Sequence, residues 1–185
     1  EMELVLPRTT SRLTLRVITP EDVGDLHAYR SRADVARYCL FEPMHEGEVL
    51  GLIEDFAGRS TIDRDDDWLL LGAQYQGRIV GDVMLRTRGL GDAQGEIGWV
   101  FHPDVGGQGL ATEAAAALLD AAFHEVYLHR VMAQLDPRNV RSARLCERLG
   151  MRLEGVFREE LWSKGEWTDT AVYAILASEW ERRSR

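Results

Sequence analysis

The stretch "HPDVGGQGLATEAAAALLDAAF", His102 to Phe123, holds three glycines within four residues (Gly106, Gly107 and Gly109) and runs straight into an alanine-rich helical pattern. A helix start leaves its first N–H groups without intrahelical partners and carries partial positive charge, so it attracts anions. Glycines ahead of it remove the Cβ atoms that would hold a diphosphate off the backbone. The plain alternative is a glycine-rich turn closing an ordinary strand-to-helix connection.

Two diphosphate ligands compete for such a start, a dinucleotide and coenzyme A. The dinucleotide fingerprint wants G-x-G-x-x-G directly after a strand, with an acid closing the next strand. Gly107, Gly109 and Asp136 fit, but Thr112 stands where the third glycine belongs, and "HPDVG" separates the strand from the glycines. One unit further on, "DPRNVRSARLCERLGMRLEG" (Asp136–Gly155) places Asn139 and Ser142 at a second strand-to-helix start. Their spacing puts them near the beginning of one helical face, where Asn139 also serves as an N-cap.

Working outward, "RLTLRVI" (Arg12–Ile18) alternates as a strand, and Thr19 with Pro20 opens a helix. A second helix is expected from His45 to Gly58, and "DRDDD" (Asp63–Asp67) reads as a solvated loop. Strands Trp68–Tyr75 and Arg78–Arg88 flank the turn Gln76–Gly77, followed by a strand Gly95–Phe101. A helix from Gly109 to Val126, a strand Arg130–Asp136 and a helix Val140–Leu149 closed by Gly150 come next. Two last strands, Arg152–Trp162 and Asp169–Leu176, are joined through "SKGEW". The order β, α, α, β, β, β, α, β, α, β, β implies an α/β protein with a mixed, mostly antiparallel sheet.

Composition narrows the partners. The 185 residues are 45% hydrophobic and 29% charged, with a formal net charge of −9, which suits one folded domain spanning 1–185. That charge argues against nucleic-acid binding and is compatible with a cationic acceptor. Cys39 and Cys146 match no metal or redox spacing, so reduced thiols and no metal are expected. No signal pattern or membrane-length apolar run occurs, so the expectation is a soluble cytoplasmic protein with no membrane partner.

Three ordered segments, "GEIGWVFHPDVGGQGLATEA", "DPRNVRSARLCERLGMRLEG" and "GEWTDTAVYAILASEWE", together with "RLTLRVITPEDVGDL", resemble the GNAT superfamily of N-acetyltransferases, in particular its RimJ/RimL-like branch. The resemblance covers almost the whole chain. It implies a mixed sheet splayed into a V with helices on both faces, where acetyl-CoA inserts. The family's diphosphate loop, Gln/Arg-x-x-Gly-x-Gly/Ala, corresponds to Gly106–Ala111, with Gly106 departing from the pattern. Backbone contacts are then expected from Gly107, Gln108, Gly109, Leu110, Ala111 and Thr112, while Glu113 supports the helix start. Trp99, Val100 and Phe101 would pair with the pantetheine arm, and Asn139 and Ser142 would contact it nearer the thiol.

The resemblance also implies the chemistry. Glu96 matches the position often assigned as general base, with Glu159 and Glu160 as competitors and Glu160 also a substrate contact. Many relatives carry a tyrosine acid where this chain has Cys146, a residue that reads as buried and inert; Ser142 is the better candidate. His102 reads as a strand-end residue. Phe41, with Pro43 and Met44, is expected at the acceptor wall, "WSKGEW" at another part of it, and Trp167 and Tyr173 in the core. The acceptor is a primary amine, either a protein N-terminal α-amine or a small cationic amine such as an aminoglycoside or polyamine. A homodimer is expected by the same resemblance. A non-catalytic acyl-CoA-binding module is the alternative from another class.

Overall fold

The computed structural model describes residues 2–62, 66–88 and 90–183. In chain order the elements are β1 (Met2–Glu3), β2 (Arg8–Thr9), β3 (Thr14–Val17), α1 (Val23–Arg30), α2 (Ala33–Ala36), α3 (Glu46–Phe56), β4 (Thr61–Ile62), β5 (Trp68–Tyr75), β6 (Arg78–Thr87) and β7 (Gln94–Phe101). The second half adds α4 (Leu110–His124), β8 (Arg130–Leu135), α5 (Val140–Arg148), β9 (Arg152–Ser163), β10 (Glu166–Leu176) and α6 (Ala177–Arg183). Eight strands form one sheet in the order β2-β3-β5-β6-β7-β8-β10-β9, and β1 pairs with β4 in a separate ribbon.

Every pairing in the large sheet is antiparallel except β7 with β8. That parallel contact covers only Gln94↔Arg130, Gly95↔Val131 and Glu96↔Met132, after which the two strands part. The expected V is therefore present. Its arms are two antiparallel half-sheets joined at a three-residue seam.

Helices cover both faces, as expected. Alternation along β6 sends Val83 and Leu85 into a core with Leu118 and Leu119 of α4, while Met84 packs against a second core built by Leu26 and Tyr29 of α1 and Val49 and Ile53 of α3. Gly81 is required here: a Cβ on it would meet the Phe101 ring at 2.5 Å.

Several local expectations change. The first helix opens with a 3-10 turn, Pro20–Asp22, in which Asp22 takes the Thr19 N–H at 2.8 Å and the Arg16 guanidinium at 2.7 Å. Asp63 to Asp65 lie outside the described residues, but Asp67 is buried and paired with Arg59 at 3.1 Å, so that end of the acidic run is not solvated. Trp167 is exposed, stacked edge-on against Trp162 at 5.3 Å on the surface; Tyr173 is in the core as expected. β10 begins at Glu166 instead of Asp169, so the last hairpin turns at Lys164 and Gly165, both with positive φ.

Candidate functional site

The splay decides which backbone groups are available. The His102 N–H bonds to the Val80 carbonyl, and the Arg88 N–H bonds to the Gln94 carbonyl. In an antiparallel ladder the bonded pairs recur every second residue, so Gln94, Glu96, Gly98 and Val100 direct their backbone polar groups to β6. Ile97, Trp99 and Phe101 have the opposite parity and turn theirs toward β8; beyond Glu96↔Met132, where the strands part, those of Trp99 and Phe101 face the gap. Of the three residues expected to pair with a pantetheine arm, Trp99 and Phe101 have the right parity. Val100 does not: its backbone belongs to β6 and only its side chain lines the cleft. The Phe101 ring packs over Gly81 and takes no part in the lining.

At the end of β7, His102 caps a 3-10 turn, Pro103–Val105, by accepting the Asp104 N–H at 3.0 Å. Its role is to close the strand. Gly107 and Gly109 then adopt φ of +79° and +77°, a region that side chains with a Cβ rarely enter. Nothing lies within 4 Å of a Cβ placed on Gly107. The first regular α4 hydrogen bond runs from the Glu113 N–H to the Gly109 carbonyl, so the N–H groups of Leu110, Ala111 and Thr112 have no intrahelical partner, and none among the other described residues, at a bare helix start. Leu110 buries its side chain in the core and offers only its backbone. The cradle thus fits a diphosphate.

Glu113 anchors this cradle from behind. Its carboxylate takes the Thr10 hydroxyl at 2.6 Å, the Arg12 N–H at 2.9 Å and the Arg12 Nε at 2.8 Å, while Arg12 also donates to the Gln108 carbonyl at 2.8 Å. Partial burial pushes the Glu113 carboxyl up, but these donors outweigh it and hold it below the usual range.

Across the V, Asn139 caps α5 by accepting the Ser142 N–H through Oδ1 at 3.2 Å. With Oδ1 committed to the cap, Nδ2 is the atom left to serve a ligand. Ser142 Oγ accepts the Trp99 indole N–H at 3.2 Å, a bridge between β7 and α5 over the open end of the sheet. Because the hydroxyl is an acceptor in that bond, its own hydrogen stays free to be donated. Cys146, buried in the core, has its thiol pushed up to about 12 by desolvation and is a poor proton donor.

A cleft of about 600 Å³ opens between the arms, lined by Glu96, Trp99, Ser142, Asn139, Phe41 and Glu160 among others. One Glu96 oxygen sits 3.3 Å from Arg88, and the side chain is 15% exposed. Glu160 accepts the Thr170 hydroxyl at 2.7 Å. Glu159 is absent from the lining; it sits in a β-bulge at φ +49°, with its N–H held by Asp169 at 2.8 Å. The bulge separates the two neighbours, bringing Glu160 to the cleft and leaving Glu159 out. Phe41 lies under the Arg30 guanidinium at 4.8 Å; Pro43 and Met44 are not in the lining.

The structure adds a cluster that the sequence did not disclose. Asp82, 1% exposed, accepts the Tyr29 hydroxyl at 2.5 Å and two Arg30 donors at 3.0 and 2.7 Å on the cleft floor. Desolvation and the Asp82 charge push the Tyr29 phenol well above its ordinary value. Arg138 forms a second bridge, ion-paired to Asp136 at 2.7 Å and to Glu166 at 2.9 Å and lying over the Tyr38 ring at 5.4 Å. Lys164 donates to the Ala36 carbonyl from the hairpin tip. Together these tie the β9–β10 hairpin to the α2 segment across the acceptor side.

The charge of the cleft differs from that of the whole chain. Asp82, Glu96, Asp136, Glu160, Glu166 and Asp169 are matched by Arg30, Arg37, Arg86, Arg88, Arg138 and Lys164. Among the described residues the lining is therefore balanced, and the excess of acid lies elsewhere on the surface. Among those residues no group of three or more metal-ligating side chains occurs, and no helix is long and apolar enough to cross a membrane.

The profile of a family described as an acetyltransferase (GNAT) domain matches residues 12–152. The chain is similar to the uncharacterized N-acetyltransferase YnaD of Bacillus subtilis (strain 168), with 34% identity over 177 residues covering 93% of this chain and 98% of that protein. It is also similar to the ribosomal protein uS5-alanine N-acetyltransferase of Escherichia coli (strain K12), with 35% identity over 189 residues and coverage of 93% and 91%. Among solved structures, a GNAT-family acetyltransferase from Bacillus anthracis superposes with a TM-score of 0.84 at 30% identity, over 96% of this chain and 100% of that one.

Proposed function

The chain belongs to the GNAT acetyltransferase family, and from that premise we propose that it transfers an acetyl group from acetyl-CoA to the α-amine of a protein N-terminus by direct attack in a ternary complex. The carrying observation is the splay after Glu96 and Met132, which opens the cleft lined by Glu96, Trp99, Asn139, Ser142 and Glu160. Two features support an N-terminal α-amine over the other acceptor class, a small cationic amine. The balanced cleft lacks the excess of carboxylates that would draw in a polycation. The 35% identical relative is named for acting on an alanine of a ribosomal protein.

Acetyl-CoA supplies the acetyl group as a thioester. An α-amine loses its proton near pH ~8, against ~10.4 for a lysine, so a modest base suffices. We assign that base to Glu96, which faces the cleft with one oxygen steadied by Arg88. The Trp99 backbone, aimed into the gap, offers an N–H to the carbonyl oxygen as negative charge develops there. Ser142, whose hydroxyl hydrogen is free, donates toward the departing sulfur. Glu96→Gln is expected to lower kcat about 100-fold while leaving acetyl-CoA affinity unchanged. Equal turnover in the variant would remove Glu96 from the chemistry.

The test of the whole reading is a panel of amines incubated with acetyl-CoA, thiol release being followed and acetyl-CoA binding measured by calorimetry. Turnover of N-terminal peptides above spermidine and aminoglycosides is the expected result. Preference for spermidine would overturn the acceptor assignment. Tight acetyl-CoA binding with no turnover of any amine would favour a non-catalytic acyl-CoA-binding module.

We also propose a homodimer and a cytoplasmic setting, the latter supported by the free thiols of Cys39 and Cys146. β9 is an edge strand with Leu153, Val156 and Trp162 at 53%, 45% and 58% exposure on one face and Phe157 at 55% on the other, surfaces that a second copy joined along this edge would cover. Phe157→Glu is expected to convert the dimer to monomer in sedimentation velocity. A variant that sediments like its parent would place the interface elsewhere.

A further inference from the structure

Gly106 departs from the family pattern, and a residue from another helix occupies the space beside it. A Cβ on Gly106 would lie 2.9 Å from the Pro103 carbonyl oxygen and 3.4 and 3.7 Å from the two terminal nitrogens of Arg141. Arg141 comes from the first turn of α5, so its guanidinium stands beside the point where a side chain of the loop itself would begin. A longer residue at 106 would meet both the carbonyl and the arginine.

The loop has a second arginine neighbour, and the two differ. Arg12 lies 3.6 Å from a Cβ on Gly109, but Glu113 compensates its charge at 2.7 Å and the Gln108 carbonyl takes another of its donors. Arg141 is exposed, and among the described residues no carboxylate pairs with it. Of the two guanidiniums at the loop, Arg141 has charge and hydrogens to give.

We propose that Arg141 anchors the diphosphate of acetyl-CoA, delivering from α5 the cation that the loop lacks at Gly106. The inference rests on the assignment of the glycine loop as the diphosphate cradle. The planar guanidinium fork matches phosphate oxygens in paired, charge-assisted hydrogen bonds. Backbone N–H groups of the α4 start would hold the same diphosphate from the other side. The ligand is then gripped between two helices, and α5 acts on it through its first turn.

The experiment compares CoA with S-acetylpantetheine, which lacks the diphosphate, in calorimetry and in steady-state turnover. For Arg141→Ala we expect the CoA Kd to rise about 10- to 100-fold, its salt dependence to flatten, and KM for S-acetylpantetheine to stay at the parental value. Arg141→Lys should recover part of the loss. Parental CoA affinity in the alanine variant overturns the proposal, as does an equal loss with both ligands, which would mark Arg141 as a support of α5 alone. A parental protein that binds no CoA would overturn the cradle itself, a separate and distinguishable failure.

Discussion

Replacing Asp82 by alanine is expected to destabilise the fold by about 3–5 kcal/mol, because it leaves the Arg30 charge and the Tyr29 hydroxyl buried without their acceptor. Tyr29 is 0% exposed and Arg30 6% exposed, so neither can turn to solvent without opening the packing of α1 on the sheet. For a chain of this size the loss corresponds to a fall in Tm of roughly 6–20 °C. Denaturant titration of the parent and variant measures it directly. Asp82→Ala with Arg30→Met should recover much of the stability, since an apolar pair leaves no uncompensated charge. A loss below about 1 kcal/mol in the single variant would mean that the cluster is solvated and contributes like a surface pair.

Gly109→Val is expected to abolish acetyl-CoA binding, lowering affinity at least about 100-fold. At φ +77° a β-branched residue is strained whatever room surrounds it. Its Cβ would lie at ordinary contact distance, 3.6 Å, from the Arg12 guanidinium, so the cost comes from the backbone conformation. The defect should be confined to the loop, because Gly109 precedes α4 and contributes no side chain to the core. Calorimetry on a variant with parental far-UV circular dichroism is the check. Normal affinity in such a variant would move the diphosphate away from this helix start.

Much of the architecture was legible because its signals are local. The long strands alternate, Gly150 closes α5 with φ +82°, and the glycines before α4 announce a backbone conformation that few other residues adopt. Two-residue strands such as β1 and β4 carry no periodicity and were missed, as was α2 with its four residues. Site residues divided along the same line. Asn139 and Ser142 share one helix turn, so spacing alone joined them. Asp82 and Arg30 are 52 positions apart, and only the packing of α1 on β6 brings them together. A clue did exist: Asp82 is a lone carboxylate in the apolar run "IVGDVML", and such a residue inside a strand needs a buried partner. The edge to which Val100 turns its backbone was not legible, because it depends on the ladder to β6, a parity that composition does not reveal. The cleft's neutrality was hidden for a simpler reason, since net charge sums over surfaces that never meet.

The three-residue seam between β7 and β8 has a bearing on the life of the protein in the cell. With acetyl-CoA held in that interruption, as proposed here, the metabolite that feeds the reaction would also serve as a structural element. Binding to the native state alone adds stability by mass action, about 2.7 kcal/mol when free ligand stands at 100 times its Kd. The folded population, and with it resistance to proteolysis, would then follow the acetyl-CoA pool. When acetyl units run short, the enzyme would lose both its donor and part of its own abundance.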